Sequence, residues 1–272
     1  MAIKSIESTA QGHGIIQGLP ASTVCATGPG NATRFRDIGK LAVACRTCAT
    51  RSNCRAARMW AVGHGLVDTS SLYLRVLKPG QHVFYNGDLN EVVYTVRSGS
   101  FKTYLSTGSN DEQVVDFHLP GDVLGIDALG TGRHGASAVA LETASVCEMP
   151  LTELQNHGGC SCGLLFELFG EELNRVRHML LMIDRKDAES RVASFLYNLS
   201  RRFQACGFSA RAFNLSMSRQ DIGNHLGLAI ETVSRVLMHL QQDGLLEVNG
   251  RRITIRDLSA LSDTAGDALL AK

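Results

Sequence analysis

Near residue 161 the hydrophobic rhythm of the chain changes, and that change limits what it can fold into. Before it, apolar residues alternate in short runs broken by Gly, Pro, Asn and Asp. Beyond it, Phe166, Phe169, Leu173, Val176, Leu180 and Ile183 fall at alternating steps of three and four. Such steps place a narrow apolar stripe along one helix, the a/d seam of a coiled coil. Glu171, Glu172, Asn174, Arg175 and Arg177 lie off the stripe. A long helix with so narrow a stripe meets a second copy of itself, so a parallel homodimer is expected, with the seam helix in 161–188. The competing reading is a helix packed on its own domain.

Upstream, Leu72, Leu74 and Val76 alternate with Tyr73 and Arg75. Strand-like runs follow at His82–Tyr85, Val92–Val96, Phe101–Leu105 and Val114–His118, and a last one from Ala138 to Met149. Turns such as Lys78-Pro79-Gly80-Gln81 and Leu119-Pro120-Gly121-Asp122 separate them. Short strands at this spacing predict a small antiparallel barrel or sandwich over 59–160. Residues 1–40, rich in Gly, Ala, Ser and Thr without a period, read as a flexible tail.

Downstream, a helix over Asp187–Phe203 is followed by two more, Met217–Leu228 and Ala229–Leu240, around a tight turn. Ser218 is placed as N-cap with Asp221 in the first turn, and Gly227 fits a turn needing positive φ. Ile222, Leu226, Leu228, Val233, Val236, Leu237 and Leu240 supply a core face. Leu245–Ile255 then reads as a hairpin on the Asn249-Gly250 turn. Two helices about a glycine turn with a trailing hairpin predict a winged helix-turn-helix over 189–258. The end, 259–272, is a short helix or tail. The fold class is α+β.

This segment is also the basic one. The chain carries +1 overall, but Arg191–Arg256 holds nine arginines against Asp221, Glu231, Asp243 and Glu247, so it is +5 while the rest is −4. A basic segment on a neutral chain points to a polyanion. Glu231, Ser234 and Arg235 lie on the outward face of the second helix. An arginine fork can donate twice to guanine and a carboxylate can accept from cytosine, so they are candidate base readers. Ser218, Arg219, Arg251 and Arg252 are candidates for phosphates of double-stranded DNA. The bland alternative is a helical protein-binding module.

At 44% hydrophobic and 19% charged, 272 residues can bury a core. No apolar run reaches the roughly eighteen residues of a membrane span. The first residues carry an acid and no apolar stretch of signal type, so a cytoplasmic protein with reduced thiols is expected. There, eight cysteines favour metal or redox chemistry over disulfides. Cys45, Cys48 and Cys54 sit within ten residues, with Arg46 and Arg51 interleaved and Arg55 just after. The trio needs a fourth ligand, from Cys25, Cys147, Cys160, Cys162 or Cys206. A structural zinc prefers paired Cys-x-x-Cys knuckles. One pair with singles is closer to iron–sulfur spacing, with zinc and a thiol switch as alternatives.

Taken together, these motifs resemble the oxygen-sensing FNR branch of the Crp/Fnr family of bacterial transcription regulators, over about residues 41–258. The resemblance rests on Cys45-x2-Cys48-x5-Cys54, Gly121-Asp122-Val123-Leu124-Gly125, Leu141–Glu148, Phe195–Phe203 and Glu231-Thr232-Val233-Ser234-Arg235. It implies a β-roll of cyclic-nucleotide-binding type (a jelly roll), a long dimerisation helix and a winged helix-turn-helix. It also implies a cluster-binding loop at 41–58, with Cys45, Cys48, Cys54 and Cys147 holding an oxygen-labile 4Fe-4S cluster. In that branch the cluster-bearing protein dimerises and binds palindromes with TTGAT-like half-sites, and oxygen reverses this. Glu231, Ser234 and Arg235 fall at the family's base-reading positions. A nitric-oxide or general redox sensor with the same cluster, or a structural-zinc regulator, is the alternative. An iron–sulfur enzyme would need no winged helix, and no enzyme is expected.

Two departures matter. The cyclic-nucleotide-binding relatives hold ribose and phosphate with Gly-Glu and Arg-Ser pairs. Here the corresponding stretches read Gly125-Ile126-Asp127 and Ala136-Ser137-Ala138, so no cyclic nucleotide is expected. Some members carry an acid on the dimer seam where this chain has Val176, which implies that the cluster-free protein dimerises more readily. A partnership with RNA polymerase is expected of an activator, and Thr107–Glu112 is exposed enough to offer a contact, although an ordinary hairpin loop explains it as well.

Overall fold

Alternation of apolar and polar residues builds two antiparallel sheets from the first half of the chain. The computed structural model describes residues 41–42, 48, 50–52, 54–55, 57, 73–106, 112–151, 161–184 and 187–266, with the backbone alone for 41–42 and 161–165. The tail 1–40 with Cys25, the expected ligand Cys45, the loop 107–111, Cys160 and the side chain of Cys162 lie outside the described residues.

One sheet has the order β1-β2-β9-β4-β7, from Leu41–Ala42, Tyr73–Leu77, Ala144–Pro150, Val92–Ser98 and Val123–Leu124. The other has the order β3-β8-β5-β6, from His82–Phe84, Ser137–Ala140, Phe101–Ser106 and Glu112–His118. Their facing sides bury Leu77, Phe84, Val96, Phe101, Leu124, Ala138 and Val146. This is the expected β-roll. The run Ala138–Met149, expected as one strand, is two strands in different sheets. Leu141–Thr143 carries the chain across, with the Leu141 N–H donating to Ser100 O at 3.0 Å.

Helix α1 spans Ser161–Ile183. Its inward face buries Leu168 against Val93, Val123, Ile126 and Met149 on the outer face of the first sheet. Further along, Met182 joins the core of the helical region. Phe166 (75% exposed), Phe169, Leu173 (71%), Val176 and Leu180 point outward, and Ile183 is half-buried. One face of the helix thus packs on its own domain, and the other leaves the heptad stripe exposed.

Helix α2, Ala188–Ala205, starts at Asp187, whose carboxylate accepts the Ser190 N–H. Strand β10 (Ala212–Asn214) precedes α3 (Arg219–Leu226) and α4 (Ile230–Gln242). At the N-terminus of α3, Ser218 and Asp221 form a reciprocal capping box. Gly227 ends α3 at φ +65° and ψ 38°, a left-handed conformation that glycine adopts without steric cost. The wing is β11 (Leu246–Asn249) and β12 (Arg252–Ile255), with β10 completing a sheet in the order β10-β12-β11. Asn249 pairs with Arg252, so Gly250-Arg251 forms the loop, one residue later than expected. Gly250 supplies the positive φ, +61°.

Of the two readings of the end of the chain, a short helix or a tail, the described residues show the helix: Leu258–Thr264 is α5, capped by Asp257. It buries Leu261 and Ala265 in the helical core, and the Ser194 hydroxyl on α2 donates to Ala265 O at 3.1 Å. The core of the helical region also takes in Val114, Phe117 and Leu119 of the β-roll.

Candidate DNA-reading surface and thiolate centre

Helix α4 owes its orientation to Val233, Val236, Leu237 and Leu240, which are buried at helical spacing. The opposite face leaves Glu231 and Arg235 exposed, with Ser234 half-buried. Arg219 on α3 donates to Ser234 Oγ at 3.2 Å, bracing the two helices at that face. Arg251 and Arg252 are exposed on the wing, as Ser218 and Arg219 are at the start of α3. The Ser218 hydroxyl proton is already given to Asp221 Oδ2 at 2.6 Å, so Ser218 orders the helix start that presents its N–H groups.

Cys147 sits on β9 between Leu74 of β2 and Thr95 of β4. It alternates with Val146, which is fully buried between the sheets, so Cys147 faces the outer side. That side also carries Met149, which packs on Leu168 of α1. Both ends of the cysteine loop are tied near this row. Leu41 pairs with Leu74, the neighbour of Cys147. At the other end the Arg55 N–H donates to Gly121 O at 3.2 Å, and the Gly121 N–H donates to Val96 O at 2.8 Å, next to Thr95.

The described donors also suit a charged thiolate centre. The Ala57 N–H donates to Cys54 Sγ at 3.3 Å, and Cys48 Sγ lies 3.1 Å from Thr50 Oγ1. Hydrogen bonds to sulfur favour the thiolate and tune a bound cluster. Cys206 is different. It caps α2 and donates its thiol to Pro120 O at 3.2 Å, and burial, with Asp122 close by, pushes its pKa up. A thiol held protonated in this way is a poor metal ligand.

Between the loop and the helices lies a group of ion pairs that the sequence did not reveal. Arg55, next to Cys54, places Nε 2.9 Å from Glu171 on α1 and Nη2 3.6 Å from Asp122. Asp122 also takes Arg175 of α1 at 3.3 Å and Arg202 of α2 at 2.7 Å. Asp116 takes Arg175 at 3.0 Å. Burial alone would raise the Asp122 pKa, but the guanidiniums of Arg202, Arg175 and Arg55 hold it far below the usual carboxylate range. Asp122 gave no hint of this, because it stands in the turn Leu119-Pro120-Gly121-Asp122, where an acid is ordinary.

The stretches Gly125-Ile126-Asp127 and Ala136-Ser137-Ala138 are engaged within the β-roll. Asp127 Oδ2 accepts the Gly135 N–H at 2.7 Å. Oδ1 lies 4.0 Å from the buried His134, whose ring stacks on Phe84 at 3.7 Å between centroids. Ser137 Oγ is engaged by the Asn86 N–H at 3.0 Å.

Comparison with known proteins agrees with this architecture. Residues 74–157 match the cyclic nucleotide-binding domain family and residues 190–264 the Crp-like helix-turn-helix domain family. The chain is 40% identical to the fumarate nitrate reduction regulatory protein of Klebsiella oxytoca, covering 85% of this chain and 93% of that one. Against the fumarate and nitrate reduction regulatory protein of Escherichia coli K12 it is also 40% identical, over 84% and 92% of the two chains. The structure of FixK2 from Bradyrhizobium japonicum superposes with TM-score 0.65 at 31% identity, covering 73% of this chain and 98% of that one. With its relatives, this β-roll, long helix and winged helix make the chain a DNA-binding transcription regulator, not an enzyme. The chain belongs to the Crp/Fnr family of these regulators.

Proposed function

We propose that this regulator senses oxygen through a 4Fe-4S cluster held by Cys45, Cys48, Cys54 and Cys147. One observation carries the reading: one end of the cysteine loop pairs with β2 and the other is held through Gly121 to β4, the two strands that flank Cys147. When bound, the cluster supplies an oxygen-labile link between that loop and the sheet. The loop at 41–58 then reports to the β-roll at 59–160, the dimer helix at 161–188 and the winged helix at 189–258.

In this reading two copies pair through Phe166, Phe169, Leu173, Val176, Leu180 and Ile183. Burying such side chains contributes about 1.5–3 kcal/mol each. The paired heads then read palindromic, TTGAT-like half-sites of double-stranded DNA in the cytoplasm, with Glu231, Ser234 and Arg235 on bases and Arg219, Arg251 and Arg252 on phosphates. RNA polymerase is the partner at activated promoters. A cyclic nucleotide is not the ligand in this reading, because Ala136-Ser137-Ala138 offers no arginine to its phosphate. Among the described residues no helix is long and apolar enough to cross a membrane.

Anaerobic purification tests the centre. A brown protein carrying iron and sulfide that bleaches in air is expected. Cys147→Ser should lose the colour, while Cys206→Ser should keep it. A colourless, zinc-loaded wild type overturns the reading.

A further inference from the structure

The ion pairs around Asp122 join three parts of one subunit that have no sequence proximity. Arg55 belongs to the cysteine loop, Glu171 and Arg175 to α1, and Arg202 to α2 of the DNA-binding head. The three cations face four carboxylates: Asp116, Asp122, Glu171 and Glu172. Asp122 is fixed from its own side as well, its Oδ2 accepting the Leu119 N–H at 2.8 Å. Arg202 is fixed by a second bond, to Phe117 O at 2.6 Å.

We propose that Arg55 is a positioning residue that transmits the state of the cysteine loop through Asp122 to the DNA-binding head of the same subunit, in addition to the dimer helix. This rests on the reading of the loop as the sensing element. The physical case is charge balance in a confined place. Asp122 Oδ1 is shared by Arg55 and Arg175, while Oδ2 takes Arg202. Withdrawing Arg55 leaves two guanidiniums against four carboxylates, and a buried carboxylate deprived of a partner is costly. The remaining cations, Arg175 and Arg202, must then redistribute, and each is carried by a helix that has an output. Space for this exists, because the same arginines line a cleft of about 290 Å³ bounded by α1, β6 and α2. Dimerisation alone would need Arg55 to reach only Glu171. The second arm, through Asp122 to Arg202, gives the loop a hold on the head within a single chain.

The test is hydrogen exchange on the full chain, with wild type, Arg55→Ala and Arg55→Lys compared. Each is examined also in a Val176→Asp background so that the single-subunit effect is read apart from dimerisation. Arg55→Ala should raise exchange several-fold in α1 near 171–182 and in α2 near 198–205, with β4 and β9 unchanged. The change in α2 should persist in the Val176→Asp background, and Arg55→Lys should restore most of the protection. Combining Cys54→Ser with Arg55→Ala should give no more than the larger single effect. Exchange in 198–205 within twofold of wild type, a change seen only without Val176→Asp, or additive effects of the two substitutions would each overturn the proposal. Iron and sulfide content is measured on the same wild-type sample. Its absence removes the cluster reading, whereas the comparison of Arg55 variants still decides the coupling.

Discussion

Lys102 on β5 places its ammonium 2.8 Å from Asp221 on α3, tying the β-roll to the first helix of the DNA-binding pair. The same nitrogen lies 2.6 Å from Glu112. Around this contact, Gln113 donates to Asn224 O at 2.6 Å and Asn224 donates to Glu112 O at 3.0 Å. The hairpin of β5 and β6 thus holds the head by its helix start, and Asp221 serves both as clasp and as cap.

Lys102→Ala should loosen the head, at a cost of about 1.5–3 kcal/mol for charged hydrogen bonds. The check is urea unfolding together with proteolysis between the two regions. Burial raises the Asp221 pKa, but hydrogen bonds from Lys102 and Ser218 outweigh this and hold it below the ordinary carboxylate value. A depressed carboxylate stabilises above its unfolded pKa and loses this as pH falls through its folded value. The gap between wild type and Lys102→Ala should therefore narrow below about pH 4.

Val176 stands on the exposed stripe of α1, with Leu173 and Leu180 beside it. Val176→Asp sets two carboxylates against each other across a parallel pair and should weaken dimerisation by about tenfold or more, given like-charge and desolvation costs of over 1.4 kcal/mol. Sedimentation of the cluster-free and cluster-bearing forms reads this directly. Unchanged dimerisation and DNA affinity would remove the stripe from the interface.

How far the sequence revealed these features depended on their range. Strands β2 to β6 and the helix pair were legible, because alternation, heptad steps, Ser218 and Gly227 are local signals. Ala138–Met149 misled, since a strand that crosses from one sheet to the other keeps its apolar character through Leu141. Strand β7, only Val123–Leu124, is too short to carry a period. The α1 stripe was visible, yet the inward role of Leu168 and Met182 was not, because what an apolar residue packs on is decided by the rest of the fold. The Asp122 node was illegible for a related reason. Arg55, Asp122, Arg175 and Arg202 share no spacing, and only the folded chain brings them together.

His118 offers a pH test of that node. It is 5% exposed. Its Nδ1 lies 3.5 Å from Arg175 Nη1, which can only donate, and its Nε2 lies 3.1 Å from Thr103 Oγ1. The ring is therefore neutral with its proton on Nε2. Burial, outweighing the pull of Asp116, lowers its pKa from 6.5 to about 4. A group with a depressed folded pKa contributes full stability above its unfolded value, lost as pH falls toward its folded one. Wild type should thus lose up to about 3 kcal/mol between pH 6.5 and 4 from this group. Asp116 and Asp122, also depressed, act in the same direction at lower pH. His118→Gln should flatten the upper part of the profile, read as urea midpoints across that range. An unchanged slope would exclude His118 as its source.

Arg235 and Arg251 should fail differently on DNA. Arg235 projects from the recognition helix, where a guanidinium fork can take two acceptors of one guanine. Arg235→Ala should cost about 1–3 kcal/mol on the preferred site and relax the preference at one base pair. Arg251 lies in the wing loop, and its proposed contact is a phosphate. Arg251→Ala should weaken all sequences alike and reduce the salt dependence by about one counterion. Binding titrations at several salt concentrations, on the preferred site and on single-base variants, separate the two. Loss of specificity with Arg251→Ala, or a purely uniform loss with Arg235→Ala, would reverse the assignment of wing and helix, because only a side chain at a base edge distinguishes one base pair from another.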